Sequence, residues 1–188
     1  MPLNSTSFVT VSKGGLLNVL TNKCHVSQAF DPSDQTTAAA PTPVEFEAIW
    51  DTGATGSVIT QPVVDACNLQ PITMVRVHGV HGEDMAEVYL VNIYLPNHVA
   101  FMNMHVTKGK LPGNACLLIG MDIINQGDFA VTNLGGLTKF SFRFPSQTHI
   151  DFVAEHNRQL QKEQFTHGGF HRDRKKKPKT FGKNKRKK

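Results

Sequence analysis

The sequence predicts an all-β domain with one or two short helices. Apolar and polar residues alternate with a period of two in several short runs, as at Val44, Phe46, Ala48 and Trp50. Glycine-bearing turn segments separate those runs, the pattern of strands joined by hairpins. A third run, Cys116-Leu117-Leu118-Ile119, is apolar throughout and reads as a strand buried on both faces. At 188 residues the chain can hold one domain with a good core plus appendages.

In chain order, residues 1–21 form an N-terminal extension rich in Ser, Thr, Gly and Asn. Its short apolar piece, Leu16 to Leu20, reads as a loose strand or an ordered arm. The domain proper is expected over 22–146. It opens with a strand from Cys24 to Phe30, a polar loop from Asp31 to Pro43, and a strand from Val44 to Trp50. Gln61 to Leu69, with Pro62 at a first helical position, reads as a short helix or irregular turn. Ile72–Val77 and Ala86–Leu95 form two strands around a glycine-bearing tip, a hairpin signal. A strand from Val99 to Val106 follows, then a turn from Lys108 to Asn114 and the apolar run. Asp122 is placed to cap a short helix that Gly127 ends. Phe129–Thr132 and Leu137–Phe144 make a last hairpin, with Phe140, Phe142 and Phe144 on one face. Residues 147–164 read as a C-terminal helix, capped by Thr148 or Asp151 and reaching about Lys162.

The net charge of +5 hides an asymmetry. From Phe165 onward there are eleven Lys and Arg and one acid, whereas the preceding 164 residues carry nine basic and fourteen acidic side chains. A mildly acidic body thus precedes a basic segment, 165–188, that repels itself and buries little, and is expected to be disordered. Such a segment, over 172–188, suits non-specific contact with nucleic-acid phosphates as well as simple solubilisation. Three cysteines, Cys24, Cys67 and Cys116, argue against a disulfide framework and for a reducing compartment. The opening Met1-Pro2-Leu3-Asn4-Ser5-Thr6 has no basic stretch before an apolar core, so no signal peptide is expected. No apolar run approaches the roughly 18 residues of a membrane span. A cytoplasmic protein without membrane contact is the expectation.

The chain is organised around Ile49-Trp50-Asp51-Thr52-Gly53-Ala54-Thr55-Gly56-Ser57-Val58-Ile59. A buried strand delivers an acid to its end, Gly53 lets the backbone turn beneath it, and the apolar pattern resumes. This stretch resembles the active-site loop of the retropepsin-like aspartic proteases, an apolar pair followed by Asp-Thr/Ser-Gly-Ala/Ser. The second half of the resemblance is Leu117-Leu118-Ile119-Gly120-Met121-Asp122, an apolar run followed by Gly, any residue and an acid. It covers roughly Cys24 to Phe144. The retroviral enzymes pair an acid two residues beyond the Ala with an Arg after the second Gly; here Gly56 and Met121 stand there, so both partners are missing together. That departure points to cellular and bacterial members of the family.

The resemblance implies a half-barrel with a flap hairpin, assembled as a homodimer. Two carboxylates about 3 Å apart share one proton, so one takes a proton from water while the other donates to the scissile carbonyl. The chain holds one Asp-Thr-Gly, hence each subunit gives one Asp51. By that reading Asp51, Thr52 and Gly53 are the catalytic loop. Ala54 and the flap residues His78, Gly79, Val80, His81 and Gly82 bind an extended peptide, and Gly120 and Asp122 support the loop from behind. No cofactor or metal is expected, since His78 and His81 have no third ligand spaced to join them. The rival from another class is a non-catalytic module of the same fold, a dimeric platform that contacts nucleic acid or the ribosome through its basic segment.

Overall fold

Alternation in two neighbouring runs produces the first strand pair, in which Cys24 faces Phe46 and Leu20 faces Trp50. The structure is a computed structural model and describes residues 5–30, 40–79 and 82–168. Its elements are β1 (Thr6–Val11), β2 (Leu20–Gln28), β3 (Val44–Trp50), β4 (Val58–Ile59), α1 (Gln61–Ala66) and β5 (Thr73–Gly79). They continue as β6 (Gly82–Tyr94), β7 (Ala100–Lys108), β8 (Leu117–Ile119), α2 (Met121–Ile124), β9 (Asp128–Thr132), a 3-10 turn (Leu134–Gly136), β10 (Lys139–Phe144) and α3 (Phe152–Gly168). The chain divides into one unit over Met1–Thr148 and a second over His149–Lys188.

In the first unit, β2-β3-β8-β4-β7-β6-β5 form a seven-stranded sheet, and β2 also pairs with β6. That extra pairing closes six of the strands into a ring, which leaves β5 on the outside. The long strand β6 makes this possible by dividing its partners. Its last residues, Val91–Tyr94, pair with β2, and Gly82–Val88 pair with β5. A bulge between Val91 and Ile93 interrupts its ladder with β7. The fully buried Asn92 fills that gap: its Oδ1 accepts the Asn103 N–H at 2.8 Å, and its Nδ2 donates to the Gln28 carbonyl at 3.4 Å.

One apolar cluster holds the unit together, including Cys24, Val26, Ile59, Val63, Val91, Ile93, Leu117 and Ile119, all buried. Leu117, Leu118 and Ile119 of β8 are all buried, as a strand covered on both faces must be, while Cys116 before them is partly exposed. A second sheet, ordered β1-β10-β9, packs its aromatic face on Trp50. Phe129 stacks on the indole with ring centroids 5.4 Å apart, and Phe8, Phe140 and Phe142 surround it at 5.6, 6.1 and 5.3 Å. The Trp50 Nε1–H donates to Asn22 Oδ1 at 2.9 Å, so the one polar atom of the indole is satisfied.

Several expectations shift in detail. The Leu16–Leu20 piece is no strand of its own; β1 lies earlier, at Thr6–Val11, and pairs along its whole length with β10. The helix expected over Gln61–Leu69 ends at Ala66, and it begins at Gln61, so Pro62 is its second residue and not its first. Helix α3 continues to Gly168, beyond the Lys162 expected, and starts where Asp151 Oδ1 accepts the Ala154 N–H at 2.9 Å. The expected basic segment over 172–188 lies outside the described residues. Among the described residues, no helix is long and apolar enough to cross a membrane.

Candidate active site

Asp51 is the first residue after β3, and strand pairing fixes its backbone: its N–H donates to the Ile119 carbonyl at 3.0 Å. Strand β8 is wedged between the two strands that flank the Asp51 loop. It runs parallel to β3, with Trp50 opposite Ile119, and antiparallel to β4, with Val58 opposite Leu118. The loop between Trp50 and Val58 must therefore arch over the end of β8, and that arch is what presents Asp51.

The carboxylate is half-buried, and Thr52 and Gly53 beside it are exposed. Asp51 Oδ1 accepts the Gly53 N–H at 2.8 Å. A side chain at position 53 would place its Cβ 3.1 Å from that same oxygen, so the close approach of backbone to carboxylate needs glycine. The Ala54 N–H leans on the Asp51 carbonyl at 3.3 Å, and the Ala54 carbonyl accepts the Met121 N–H at 2.9 Å.

Behind the arch lies a second layer of contacts. Gly120 has no room for a side chain: a Cβ there would sit 2.6 Å from both the carbonyl carbon and oxygen of Gly56, and 3.1 Å from the Ala54 carbonyl oxygen. The Ser57 side chain is 1% exposed and makes two bonds. Its hydroxyl donates to Asp122 Oδ1 at 2.8 Å and accepts the Gly120 N–H at 3.1 Å. Its backbone N–H donates to Asp122 Oδ2 at 2.9 Å.

That arrangement corrects the expected role of Asp122. The N-cap of α2 is Gly120, and Asp122 is the second residue inside the helix. Its carboxylate reaches out of the helix to Ser57, because α2 is a single turn and its first side chains face the arch. It also accepts the Ile123 N–H at 3.0 Å.

Of the residues singled out from sequence, Asp51, Thr52, Gly53, Ala54, Gly120 and Asp122 gather in this one knot. Of the residues expected to form a flap, His78, Gly79 and Gly82 lie on the β5–β6 arm: Gly79 pairs with Gly82 and His78 with Glu83, and Gly82 has φ +119°. Val80 and His81 fall outside the described residues. Residues Gly82–Glu87 of β6 pair with β5, and the ladder to β7 begins at Val88. The outer part of the hairpin thus projects as a two-stranded arm. At its base, Glu87 bonds to Lys108 of β7 and accepts the Tyr89 hydroxyl at 2.9 Å. Among the described residues, no set of three or more His, Cys, Asp or Glu side chains is placed to hold a metal ion.

Sequence reasoning missed Ser57 and the bracing of Trp50. A lone hydroxyl between Gly56 and the apolar Val58-Ile59 pair is the only signal of the first. For the second the signal is the single tryptophan of the chain standing immediately before the acid.

A mostly β fold with a few short helices and an Asp-Thr-Gly arch seated on a buried Gly-x-Asp strand end resembles the retropepsin-like aspartic proteases. Among solved structures the chain is similar to a retropepsin-like aspartic protease from Rickettsia conorii, with a TM-score of 0.47 and 13% identity over 74% of this chain and 95% of that one. It is similar to the EIAV protease in complex with an inhibitor, with a TM-score of 0.40 and 18% identity over 58% and 88% of the two chains. It is also similar to the retroviral protease-like domain of Ddi1 from Leishmania major, with a TM-score of 0.39 and 16% identity over 61% and 82%. Neither the protein-family models nor the curated protein sequences gave a match.

Proposed function

We propose that the chain is an aspartic endopeptidase that works as a homodimer on extended peptide segments. The observation that carries this reading is the Asp51 arch: a carboxylate at the protein surface, locked by its own backbone and by β8, with one copy per chain. The carboxylate is half-buried beside two exposed residues, within reach of a substrate.

The chemistry follows from two such carboxylates sharing one proton. The ionised Asp51 takes a proton from a water, whose oxygen attacks the scissile carbonyl carbon. The protonated Asp51 of the other subunit gives its proton to the carbonyl oxygen. Collapse of the resulting gem-diol breaks the C–N bond, and the amine leaves with a proton returned from the carboxyl pair. No covalent enzyme intermediate forms. Main-chain hydrogen bonds to the β5–β6 arm would hold the substrate as an added strand. Three free thiols suit a reducing compartment, and the cytoplasm is where we place the enzyme.

The test is degradation of an unstructured peptide library by the full chain against Asp51→Asn. Cleavage by the wild type, blocked by a hydroxyl-containing transition-state mimic and lost in Asp51→Asn, is the expected result. Equal cleavage by both proteins, or loss of cleavage in a chelator, would overturn the assignment of Asp51. No cleavage by either would favour a non-catalytic module.

A further inference from the structure

We propose that the cleft lined by loop 108–116 and the β5–β6 arm selects an acidic side chain of the peptide, three or four residues from the bond cleaved, and that Lys110 reads it. The inference rests on the peptidase reading and adds a preference that the Asp51 arch does not supply.

The cleft measures about 1150 Å³, above the roughly 300–1,000 Å³ of a small-molecule site, so more than one residue of an extended chain fits in it. Loop 108–116 and the start of α1 line it, and Asp84 reaches it from the arm. The loop is fixed at both ends. The Gly109 N–H donates to the Ile59 carbonyl at 2.9 Å, and a Cβ at Gly109 would lie 2.9 Å from Val58 Cγ1. At the other end the Cys116 carbonyl accepts the Thr60 N–H at 3.0 Å and the Thr60 hydroxyl at 3.2 Å.

Its distance from Asp51 follows from the strands. Cys116 stands three residues before Ile119, and Ile119 pairs with Trp50, the neighbour of Asp51. At about 3.3 Å per residue the cleft begins roughly 10 Å from the arch. An extended peptide covers that span in three residues. A bond seated at Asp51 therefore leads its third and fourth neighbours into the cleft.

Charge decides what those neighbours should be. The charged groups on the walls are Lys108, Lys110 and Asp84. Lys108 is already tied to Glu87. Asp84 belongs to the arm, and its Oδ1 accepts the Met85 N–H at 2.8 Å. Lys110 is exposed beside the anchored Gly109, and among the described residues no carboxylate pairs with it. Its counterion is left to whatever enters. Successive side chains of an extended peptide point to opposite sides, so the residue that faces Lys110 and the one that faces the arm are different. The loop side takes the acid, and Asp84 disfavours a second acid on the arm side.

The experiment uses the full chain and reads selection separately from chemistry. An unstructured peptide library is digested by the wild type, Lys110→Gln, Lys110→Glu and Lys139→Glu, and the residues around each cleaved bond are counted. Lys139, an exposed lysine of β10, is the control. The wild type and the control should favour Glu or Asp over Gln or Asn at the third or fourth residue by up to about fivefold, the reach of an exposed ion pair, and high salt should remove the preference. Lys110→Gln should lose it, and Lys110→Glu should favour Lys or Arg at the same position. Binding is read in Asp51→Asn by the rate at which a thiol reagent labels Cys116, the partly exposed thiol on the cleft wall. A peptide with Glu at that position should slow labelling more than its Gln counterpart, and adding Lys110→Glu should reverse the order. Cleavage without the acidic preference, or with a preference unchanged in Lys110→Glu, would refute the subsite and leave the peptidase reading standing. Labelling slowed through Lys110 with no cleavage by the wild type would overturn the peptidase reading and leave the cleft as a peptide site. Neither cleavage nor slowed labelling would overturn both.

Discussion

The Ser57–Asp122 strut carries a quantitative prediction. Asp122 accepts three hydrogen bonds, of which the one from Ile123 is local to its own helix turn. The two from Ser57 come from a residue that is 1% exposed, so water cannot replace the carboxylate there. A hydrogen bond to a charged acceptor contributes about 1.5–3 kcal/mol, and losing it strands a buried donor. Asp122→Ala removes both and should cost about 3–5 kcal/mol, a large share of the roughly 5–15 kcal/mol that a domain has. Ser57→Ala removes the hydroxyl that donates to Asp122 and accepts from Gly120, and should cost about 2–3 kcal/mol. One bond is common to both variants, so the double variant should fall short of the sum by about 1.5 kcal/mol or more. Urea unfolding of the four proteins, with a constant slope, measures all three values. If each single change cost less than about 0.5 kcal/mol, or if the two added within about 0.5 kcal/mol, the strut would not exist as described. A capping role for Asp122 would also give additivity, because a cap has no business with Ser57.

Three further outcomes are expected. Gly120→Ala puts a carbon 2.6 Å from Gly56 where carbon contacts need about 3.5–4.0 Å, so the arch must move; stability should fall by about 1–3 kcal/mol and kcat/KM by about a hundredfold. Asp128 is a pH-dependent tie. Burial opposes its ionisation, but the Ser146 hydroxyl at 2.6 Å, the Gln147 N–H at 2.9 Å and the Arg143 guanidinium outweigh it and hold the carboxyl well below the usual carboxylate range. A depressed carboxyl stabilises the fold above its unfolded pKa of about 3.9 and loses that contribution as pH falls through its lowered folded value, so the stability gap between wild type and Asp128→Asn should start to narrow below about pH 5 and still be open at about pH 2. Among the thiols, burial pushes Cys24 up to about 12 and raises Cys67, whereas Cys116 is partly exposed; a thiol reagent should label Cys116 alone in the folded protein, and Cys116→Ser should abolish that reaction.

The sheet was legible because its signals are local. Val44–Trp50, the Cys116–Ile119 run and the Phe140/Phe142 hairpin each announce themselves within a few residues by period or by continuous burial. The Asp51 loop was legible for the same reason, since acid, turn and glycine are consecutive. What escaped depends on residues far apart in the chain. Asp122 looks like a helix cap from its own neighbours, and only the pairing of β8 with β4 brings it to Ser57, 65 residues away. Likewise, β1 shows little apolar pattern, because Phe8 faces Trp50 while Val9 and Val11 remain exposed. Its placement follows from its partner β10 more than from its own composition.

The fold gives Asp51 and the β5–β6 arm opposite mechanical characters. Asp51 extends a strand that is paired on both sides, β2 on one and β8 on the other. Its preceding residue, Trp50, is gripped by four phenylalanines from the second sheet. Moving Asp51 would therefore mean breaking strand pairing, aromatic contacts and the Ser57 strut together, a resistance that the proposed two-carboxylate mechanism would need because an error of an ångström would separate the pair. The β5–β6 arm is built the other way. Residues Thr73–Arg76 and Gly82–Met85 are exposed, and their ladder has two strands. A two-stranded ribbon that buries so little is among the parts of a fold that open at least cost. β6 is common to both regions: where it meets β7 and β2 it closes the ring, and where it runs past them, at Gly82–Glu87, it is paired with β5 alone.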